Sequence, residues 1–201
     1  MKNPIADVLI VGAGPVGLAA AVVLEQLGRE VVIVDRQAEG ANTSRAAVVH
    51  PRTLEILEPY GVVPALVARG VHTPTFTIRD RDRLLVAVPF SELPTAYPYT
   101  LMISQADTEK FLLDRLTELG GKVTRPATVT GITQAPDSVT ATLSEGEPIR
   151  ARWVSIASRL TDLATASARV RPMRNTAMAL AGRAPAVRNR LAWRLSGLDR
   201  R

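Results

Sequence analysis

A glycine-rich turn near the start of the chain constrains its fold more than any other feature. The turn reads Gly12-Ala13-Gly14-Pro15-Val16-Gly17 and follows the apolar run Asp7–Val11; a second apolar run, Val31–Val34, ends at Asp35. A strand, a glycine-rich turn, a helix and a second strand that ends in an acid are typical of the βαβ unit that binds a dinucleotide. The sequence therefore predicts an α/β fold with a nucleotide site at this turn.

Each position of the turn has a physical task in such a site. Gly12 allows the tight turn, Gly14 leaves room for a pyrophosphate beside the backbone, and Gly17 allows the helix to pack closely on the strand. A helix that begins near Pro15 or Val16 would direct free N–H groups and its positive end at the phosphates. These five positions form the predicted phosphate site.

Asp35 completes the predicted site. A carboxylate at the end of the second strand is expected to accept hydrogen bonds from the ribose diol of a dinucleotide. The alternative for the whole motif is a glycine-rich turn that binds no ligand. The presence of both strands, the helix and the acid favours nucleotide binding.

Composition excludes several classes of function. The chain has 201 residues, of which 46% are hydrophobic and 22% are charged, so it can bury a core. It contains no cysteine, and no acidic cluster accompanies its two histidines, His50 and His72, so we predict no disulfide and no metal site. The sequence shows no apolar run of membrane-spanning length and no signal-peptide pattern, and we expect a cytoplasmic protein.

Positive charge is concentrated near the C-terminus. Residues 155–201 contain ten arginines against Asp162 and Asp199, a net charge of +8, whereas the whole chain carries +6. A basic segment of this kind can bind nucleic acid or an anionic membrane. The segment has few aromatic residues beyond Trp193 and no recognised DNA-reading motif, so we predict neither partner and interpret the arginines as solvated helix faces.

Hydrophobic periodicity predicts the remaining elements. The predicted helices are Val16–Leu27, a segment from Pro51 to about Tyr60, and a segment from a cap at Asp107 to Gly120-Gly121. The predicted strands are a hairpin over residues 75–79 and 84–88, then Lys122–Gln134, Ser138–Leu143 and Ile149–Ile156.

The character of the chain changes after Ile156. Residues 158–168 and 172–197 are rich in Ala, Leu and Arg, with apolar residues at three- and four-residue steps and a break at Pro185. We therefore predict two domains. Residues 1–156 form the nucleotide-binding domain, and residues 157–201 form an Arg-rich helical segment.

Several segments resemble one enzyme family. They are ADVLIVGAGPVGLAAAVVLEQLG, VIVDRQ, TSRAAVVHPRTLEIL at residues 43–57, and ISQADTE at residues 103–109. Over residues 5–154 the chain resembles the FAD-dependent aromatic and polyketide hydroxylases, which are single-component flavoprotein monooxygenases. The resemblance implies a Rossmann-like FAD-binding βαβ sheet, a small antiparallel element and a C-terminal helical tail.

The resemblance also implies specific contacts with FAD. Residues matching Arg45 and Gln105 contact the ribityl and pyrophosphate region of the flavin. The residue matching Asp35 binds the adenosine ribose, Arg36 lies near the adenine, and Val129 contacts the adenine through its backbone. The alternatives are an exposed loop arginine at position 45 and a residue that merely caps a helix at position 105.

Catalysis in the complete relatives needs parts that this sequence lacks. There, NAD(P)H reduces FAD and a small aromatic substrate is hydroxylated; the cofactor carries the reactivity, so we predict no catalytic side chain. After Ala151–Val154 the chain reads Ser155-Ile156-Ala157-Ser158-Arg159 where the family has a Gly-Ala-Asp-Gly turn, and a Gly-Asp-Ala-Ala-His turn is missing. Met173–Asp199 resembles a segment that follows much later in the family.

We therefore expect an internal deletion near residues 154–158 and impaired catalysis. The leading interpretation is a truncated FAD-binding module of an NAD(P)H-dependent aromatic hydroxylase. One alternative is a non-enzymatic dinucleotide-binding or interaction module. Another is a nicotinamide dehydrogenase, for which the sequence offers neither a Ser/Tyr/Lys set nor a histidine dyad. A sheet without its last strand would also favour self-association.

Overall fold

The computed structural model describes residues 5–40 and 48–157, together with Asn189, Ala192, Trp193 and Ser196. These residues belong to two compact units. The first unit contains residues 5–40, 60–66 and 104–157, and the second contains residues 48–59 and 67–103 together with the four isolated residues.

The described chain combines helices with a sheet whose central strands are parallel, which confirms the predicted α/β class. The strands in chain order are β1 (Ala6–Val11), β2 (Val31–Val34), β3 (Val48–Val49), β4 (Val71–Thr73), β5 (Thr75–Asp80), β6 (Arg83–Pro89), β7 (Thr100–Met102), β8 (Val123–Thr124), β9 (Val129–Ala135), β10 (Ser138–Leu143) and β11 (Ile149–Ile156). The helices are α1 (Pro15–Gln26), α2 (Pro51–Leu57), α3 (Val63–Arg69) and α4 (Gln105–Glu118), and a 3-10 turn over Glu58–Tyr60 follows α2.

The first unit contains a six-stranded sheet in the order β8-β2-β1-β11-β10-β9. Neighbouring strands among β8, β2, β1 and β11 are parallel. Strand β10 is antiparallel to both of its neighbours, β11 and β9. Leu9 pairs with Val32 on one side and with Val154 on the other. Strand β1 is an apolar run because parallel strands are buried on both faces, and Leu9 and Ile10 are fully buried.

Helices α1 and α4 pack against each other in the first unit. The residues buried on α1 are Gly17, Leu18, Ala21 and Val22. Proline suits the first turn of a helix, so α1 begins at Pro15, one residue before the predicted start. Gly28 follows its end with a φ of +70°, as predicted from its place after the apolar stripe.

The start of α4 corrects the predicted cap. We expected Asp107 to cap this helix, but the helix begins at Gln105 and Ser104 is the N-cap. The Ser104 hydroxyl oxygen accepts a hydrogen bond from the Asp107 backbone N–H at 3.0 Å, and the same hydroxyl donates to the Asp107 carboxylate at 2.8 Å. The two side chains share the cap, with Asp107 at the third helical position.

The predicted strand Lys122–Gln134 was also wrong as a single element. The chain forms β8 beside β2 and, separately, β9 beside β10. Pro126 lies between them and has no N–H to continue a ladder. The Ala127 N–H instead donates to the Asp35 carbonyl at 2.7 Å. This bond holds Ala127 beside the residue that follows β2. The predicted strands Ser138–Leu143 and Ile149–Ile156 are confirmed.

The second unit contains the predicted antiparallel element. Strands β5 and β6 form a hairpin around Arg81, which has a φ of +52°. Strand β6 and the residue after it supply a buried cluster of Leu85, Val86, Val88 and Phe90. The order β3-β7-β4 defines a second, three-stranded antiparallel sheet that the sequence analysis did not predict.

Three predictions lie outside the described residues. They are Arg45, most of the helical tail predicted over residues 158–197, and the domain boundary after residue 156, which stays a prediction. The four described residues of the tail are helical, and the Ser196 hydroxyl donates to the Trp193 carbonyl at 2.8 Å. Within the described ranges, no helix is long and apolar enough to cross a bilayer.

Candidate functional site

The glycine turn between β1 and α1 has the geometry that its sequence predicts. Gly12 has a φ of +106°, a conformation that side chains rarely allow. A Cβ atom on Gly17 would overlap the Gly12 carbonyl oxygen. Gly14 has open space, since the nearest neighbour of an added Cβ is the Glu109 Oε1 atom at 4.0 Å. The turn thus leaves its backbone accessible at Gly14 and is tightly packed at Gly17.

The N-terminus of α1 presents free backbone donors beside Gly14. The first intrahelical hydrogen bond runs from the Leu18 N–H to the Gly14 carbonyl at 2.9 Å. Pro15 has no N–H, so Val16 and Gly17 carry the donors of the first turn. The first turn contains no acidic side chain, and the Val16 side chain is 72% exposed. A helix end of this kind favours a bound anion.

The Asp35 carboxylate is tied to the backbone of the same turn. One carboxylate oxygen accepts a hydrogen bond from the Ala13 N–H at 2.6 Å, and the other accepts from the Gln37 N–H at 2.8 Å. The sequence predicts an acid that meets a ribose; these bonds to the loop backbone are a second task, which the spacing does not indicate. Each oxygen keeps a further lone pair, so Asp35 can hold the loop and still accept from a ligand hydroxyl.

We expect Asp35→Ala to lower the affinity of the chain for ADP by about 10- to 100-fold. The substitution removes charged hydrogen bonds to the loop, and bonds of this type contribute about 1.5–3 kcal/mol. Asp35→Asn keeps one accepting oxygen and should lose less. Calorimetric titration with ADP measures both variants.

The matched control for this experiment is Asp137→Ala. Asp137 is an exposed acid between β9 and β10, so its loss removes the same charge without touching the loop. An Asp35→Ala protein with normal circular dichroism and unchanged ADP affinity would show that this carboxylate has no part in binding.

Helix α4 brings Gln105 and a buried acid, Glu109, to the same side of the unit. The Gln105 side-chain nitrogen donates to Glu109 Oε1 at 2.7 Å, and Glu109 is only 7% exposed. Glu109 was not among the site residues predicted from the sequence. The available signal was its position three residues before Leu112 and seven before Leu116, which places a charge on the buried face of the helix.

Glu109 lines a cleft of about 180 Å³ within the first unit. The lining residues are Leu18, Glu39, Gly40, Ala106, Glu109, Lys110, Leu113 and Arg125. The Arg125 guanidinium donates to the Ala13 carbonyl at 3.2 Å, which brings a cation to the glycine turn. In the described part of the chain, Arg125 Nε is buried without a hydrogen-bond partner. Nothing in the sequence pattern singled out Arg125.

Two further predicted positions lie elsewhere on the first unit. Arg36 follows Asp35 directly, and its side chain is exposed. Val129 is the first residue of β9 and pairs with Leu143 of β10. Neither position is tested by a bound group, so their contacts with an adenine stay predictions.

The second unit contains perturbed titratable groups. Burial lowers the pKa of His50, which precedes α2, and its Nδ1 atom is buried with no hydrogen-bond partner among the described residues. His72 stacks on Tyr99 with ring centroids 4.1 Å apart. No group of three or more His, Cys, Asp or Glu side chains in the described ranges can hold a metal ion.

Tyr97 is expected to make the stability of this unit depend on pH. Burial, followed by the hydrogen bond with Glu58, raises the pKa of Tyr97 to about 12. An unfolded tyrosine ionises near pH 10, so this group stabilises the fold below about pH 10. That contribution should be lost as the pH rises from about 10 to about 12. Ultraviolet titration of the phenolate band should show a late transition that Tyr97→Phe removes; an unchanged curve in the variant would contradict the assignment.

Comparison with known proteins identifies the family. Residues 5–157 match the family described as an FAD binding domain. The chain belongs to this FAD-binding family. Its matched region begins before β1 and ends one residue after β11, so it includes the glycine turn, Asp35, Gln105 and the six-stranded sheet.

Curated relatives of this FAD-binding domain are monooxygenases. The chain is 47% identical over 116 residues to a 6-methylpretetramide 4-monooxygenase of Streptomyces rimosus. This match covers 57% of the chain and 21% of the relative. The chain is 36% identical over 149 residues to a rifampicin monooxygenase of Rhodococcus hoagii, covering 74% of this chain and 30% of the relative. The chain thus spans less than a third of the length of these relatives.

Solved structures support the same fold. A p-nitrophenol 4-monooxygenase from Pseudomonas putida aligns with a TM-score of 0.72 and 28% identity, covering 79% of this chain and 42% of that one. An anhydrotetracycline hydroxylase from Streptomyces rimosus aligns with a TM-score of 0.66 and 31% identity, covering 76% of this chain and 31% of that one. The predicted resemblance to FAD-dependent aromatic and polyketide hydroxylases is therefore confirmed.

Proposed function

We propose that this FAD-binding domain holds the cofactor at the β1–α1 turn, as a module of an NAD(P)H-dependent aromatic hydroxylase. The observation that carries the proposal is the turn itself. Gly12 and Gly17 are restricted to glycine by conformation and by space, and the open backbone at Gly14 lies beside the free N–H groups of Val16 and Gly17. A diphosphate fits donors and a positive helix end in this arrangement.

The remaining residues take their roles in order along the cofactor, from its adenosine end to its flavin end. The Asp35 carboxylate accepts from the adenosine ribose, and Arg36 and the backbone of Val129 flank the adenine. Gln105 contacts the flavin side of the pyrophosphate and the ribityl chain, together with Arg45. The closeness of Asp35 to Ala13 and of Glu109, the partner of Gln105, to Gly14 supports this assignment.

Bound FAD would supply the electron transfer from NAD(P)H and the activation of oxygen in the complete hydroxylase. The substrate that we propose for that complete protein is a small aromatic or polyketide molecule. This proposal rests on the names of the relatives, which include an anhydrotetracycline monooxygenase and a pentachlorophenol 4-monooxygenase. The residues described here would bind and orient the cofactor.

We further propose that the flavin ring is poorly held by this chain. Strand β11 continues through Ser155 and Ile156 where the family resemblance implies a glycine turn, and the Ala157 N–H donates to the Val11 carbonyl at 3.0 Å. The Ala157 carbonyl oxygen lies 3.1 Å from the position of a Cβ on Gly12. An extended strand beside β1 lacks the aspartate and the glycines of the family's turn. Internal deletion and self-association of the chain remain predictions.

Equilibrium dialysis against FAD, followed by visible absorption, tests the proposed function. We expect flavin absorption bands in the protein compartment above the level of free FAD. NADH contains the same ADP half as FAD, so dialysis against NADH in parallel should retain no more ligand than dialysis against ADP. Retention of NADH with exclusion of FAD would contradict the proposal and favour a nicotinamide dehydrogenase; retention of neither would contradict dinucleotide binding altogether.

A further inference from the structure

The hydrogen bond between Gln105 and Glu109 fixes the direction of the Gln105 amide. A carboxylate accepts hydrogen bonds and does not donate them, so the amide nitrogen of Gln105 must face Glu109. The distance from this nitrogen to Glu109 Oε1 is 2.7 Å, and the acid is 7% exposed. The amide carbonyl oxygen of Gln105 therefore points away from the acid. Within the described ranges that oxygen receives no hydrogen bond.

Glu109 also lies against the glycine turn. Its Oε1 atom is 4.0 Å from the position of a Cβ on Gly14, and its Oε2 atom is 3.2 Å from the position of a Cβ on Gly40. Glu109 thus links the Gln105 amide, one turn earlier on α4, to the glycine turn.

The acid at position 109 interrupts the apolar stripe of α4. Leu112 and Leu116 are the other large buried side chains of α4, and an apolar residue at position 109 would continue their stripe. Burial of a carboxylate costs free energy unless hydrogen bonds compensate. The one side-chain donor to Glu109 in the described part of the chain is Gln105.

We propose that Glu109 is a positioning residue that presents the Gln105 carbonyl oxygen as an acceptor for a ribityl hydroxyl of FAD. The proposal rests on the proposed function, because it assumes that FAD occupies the β1–α1 turn. It assigns opposite tasks to the two ends of one amide: the nitrogen binds Glu109, and the oxygen binds the ligand. Without Glu109 the amide can rotate, and its donor and acceptor ends become interchangeable.

The test compares FAD with ADP, which lacks the ribityl chain. Glu109→Met removes the accepting oxygens, keeps a similar volume and continues the apolar stripe. Glu109→Met and Glu109→Gln both remove a negative charge beside the phosphate site, which acts on FAD and ADP alike, so the measured quantity is the ratio of FAD to ADP affinity. We expect this ratio to fall about 3- to 10-fold in Glu109→Met, the size of one neutral hydrogen bond. Glu109→Gln restores an accepting oxygen and should recover most of the loss. Glu118→Met, on the exposed side of α4, is the matched control.

A double-mutant cycle separates positioning from general support of the fold. In a Gln105→Ala background, Glu109→Met should leave the ratio of FAD to ADP affinity unchanged. Nitrogen NMR of the ligand-free chain gives a second readout: the Gln105 side-chain amide should lose its protection from hydrogen exchange in Glu109→Met and regain it in Glu109→Gln.

Different results would overturn the two claims. Equal losses of FAD and ADP affinity in Glu109→Met, or no loss of either, would contradict the positioning role while the site itself stands. Absence of ADP and FAD binding in the unmodified chain would contradict the proposed function and the role of Glu109 together. An unprotected Gln105 amide in the unmodified chain would contradict the hydrogen bond on which the inference depends.

Discussion

Gly17→Ala is expected to lower the thermal unfolding midpoint by roughly 6–12 °C, because forcing a side chain into this contact costs about 3 kcal/mol. The added Cβ would overlap the Gly12 carbonyl oxygen, and Ile10 Cγ2 lies 3.3 Å away on another side. The obstructing oxygen belongs to the backbone, so it cannot swing aside as a flexible side chain would. Relief requires α1 to move away from β1.

The same substitution should also abolish measurable ADP binding, because a displaced α1 carries the donors of Val16 and position 17 away from the turn. Gly131→Ala is the matched control. Gly131 lies in β9, and a Cβ there meets only Thr142, at 4.0 Å, so we expect stability within about 0.5 kcal/mol of the unmodified chain. Calorimetric unfolding of both variants checks the prediction; a Gly17→Ala midpoint equal to that of Gly131→Ala would contradict the packing described here.

The second large effect is an absence of product: we expect the chain alone not to hydroxylate an aromatic substrate when FAD and NADPH are supplied. Hydroxylation needs a dry pocket and an oriented ring, and misplacement by about an ångström costs on the order of a hundredfold in rate. Here β11 runs through Ile156 where a flavin-binding turn is expected, and the match covers only 21% of a monooxygenase relative.

We expect at most slow oxidation of NADPH with release of hydrogen peroxide, since water reaches a poorly held flavin ring. The measurement is incubation with a panel of phenols and polyketide aromatics under labelled oxygen, followed by mass spectrometry of the products. The control is Asp35→Ala, which should lower any peroxide release by weakening cofactor binding. Labelled oxygen in a product that requires the unmodified chain would contradict the proposed impairment.

The sequence predicts those parts of the fold whose signals are local. The glycine turn is such a part, because its backbone must reverse within a few residues and only glycine fits at Gly12 and Gly17. Helix α1 follows from the same segment, with a proline at its start and Gly28 after its end. The β5–β6 hairpin follows from alternating side chains around a charged turn.

The parts that the sequence did not predict depend on partners that are distant along the chain. Strands β8 and β9 separate because Ala127 bonds to Asp35, more than ninety residues earlier. Local propensity could not distinguish Ser104 from Asp107 as the cap, since both residue types cap helices well.

The residues of the candidate site also fall into those that the sequence predicts and those that depend on distant partners. Gly12, Gly14, Gly17 and Asp35 could be assigned from spacing because one βαβ unit contains them all. Arg125 could not, because it follows β8 and lies 112 residues after Ala13, whose carbonyl it contacts. The loop-holding task of Asp35 was also hidden, since it depends on the orientation of the Ala13 N–H.

Competition between FAD and ADP measures the central claim most directly, which is that the β1–α1 turn holds the adenosine diphosphate half of FAD. Calorimetric titration of the unmodified chain should give weak binding of both ligands, and prior saturation with ADP should abolish the heat of FAD binding. In the FAD complex the flavin should stay accessible to a soluble fluorescence quencher, because the adenosine end is held better than the ring. No heat from either ligand at millimolar concentration, or FAD binding that ADP does not displace, would contradict the account.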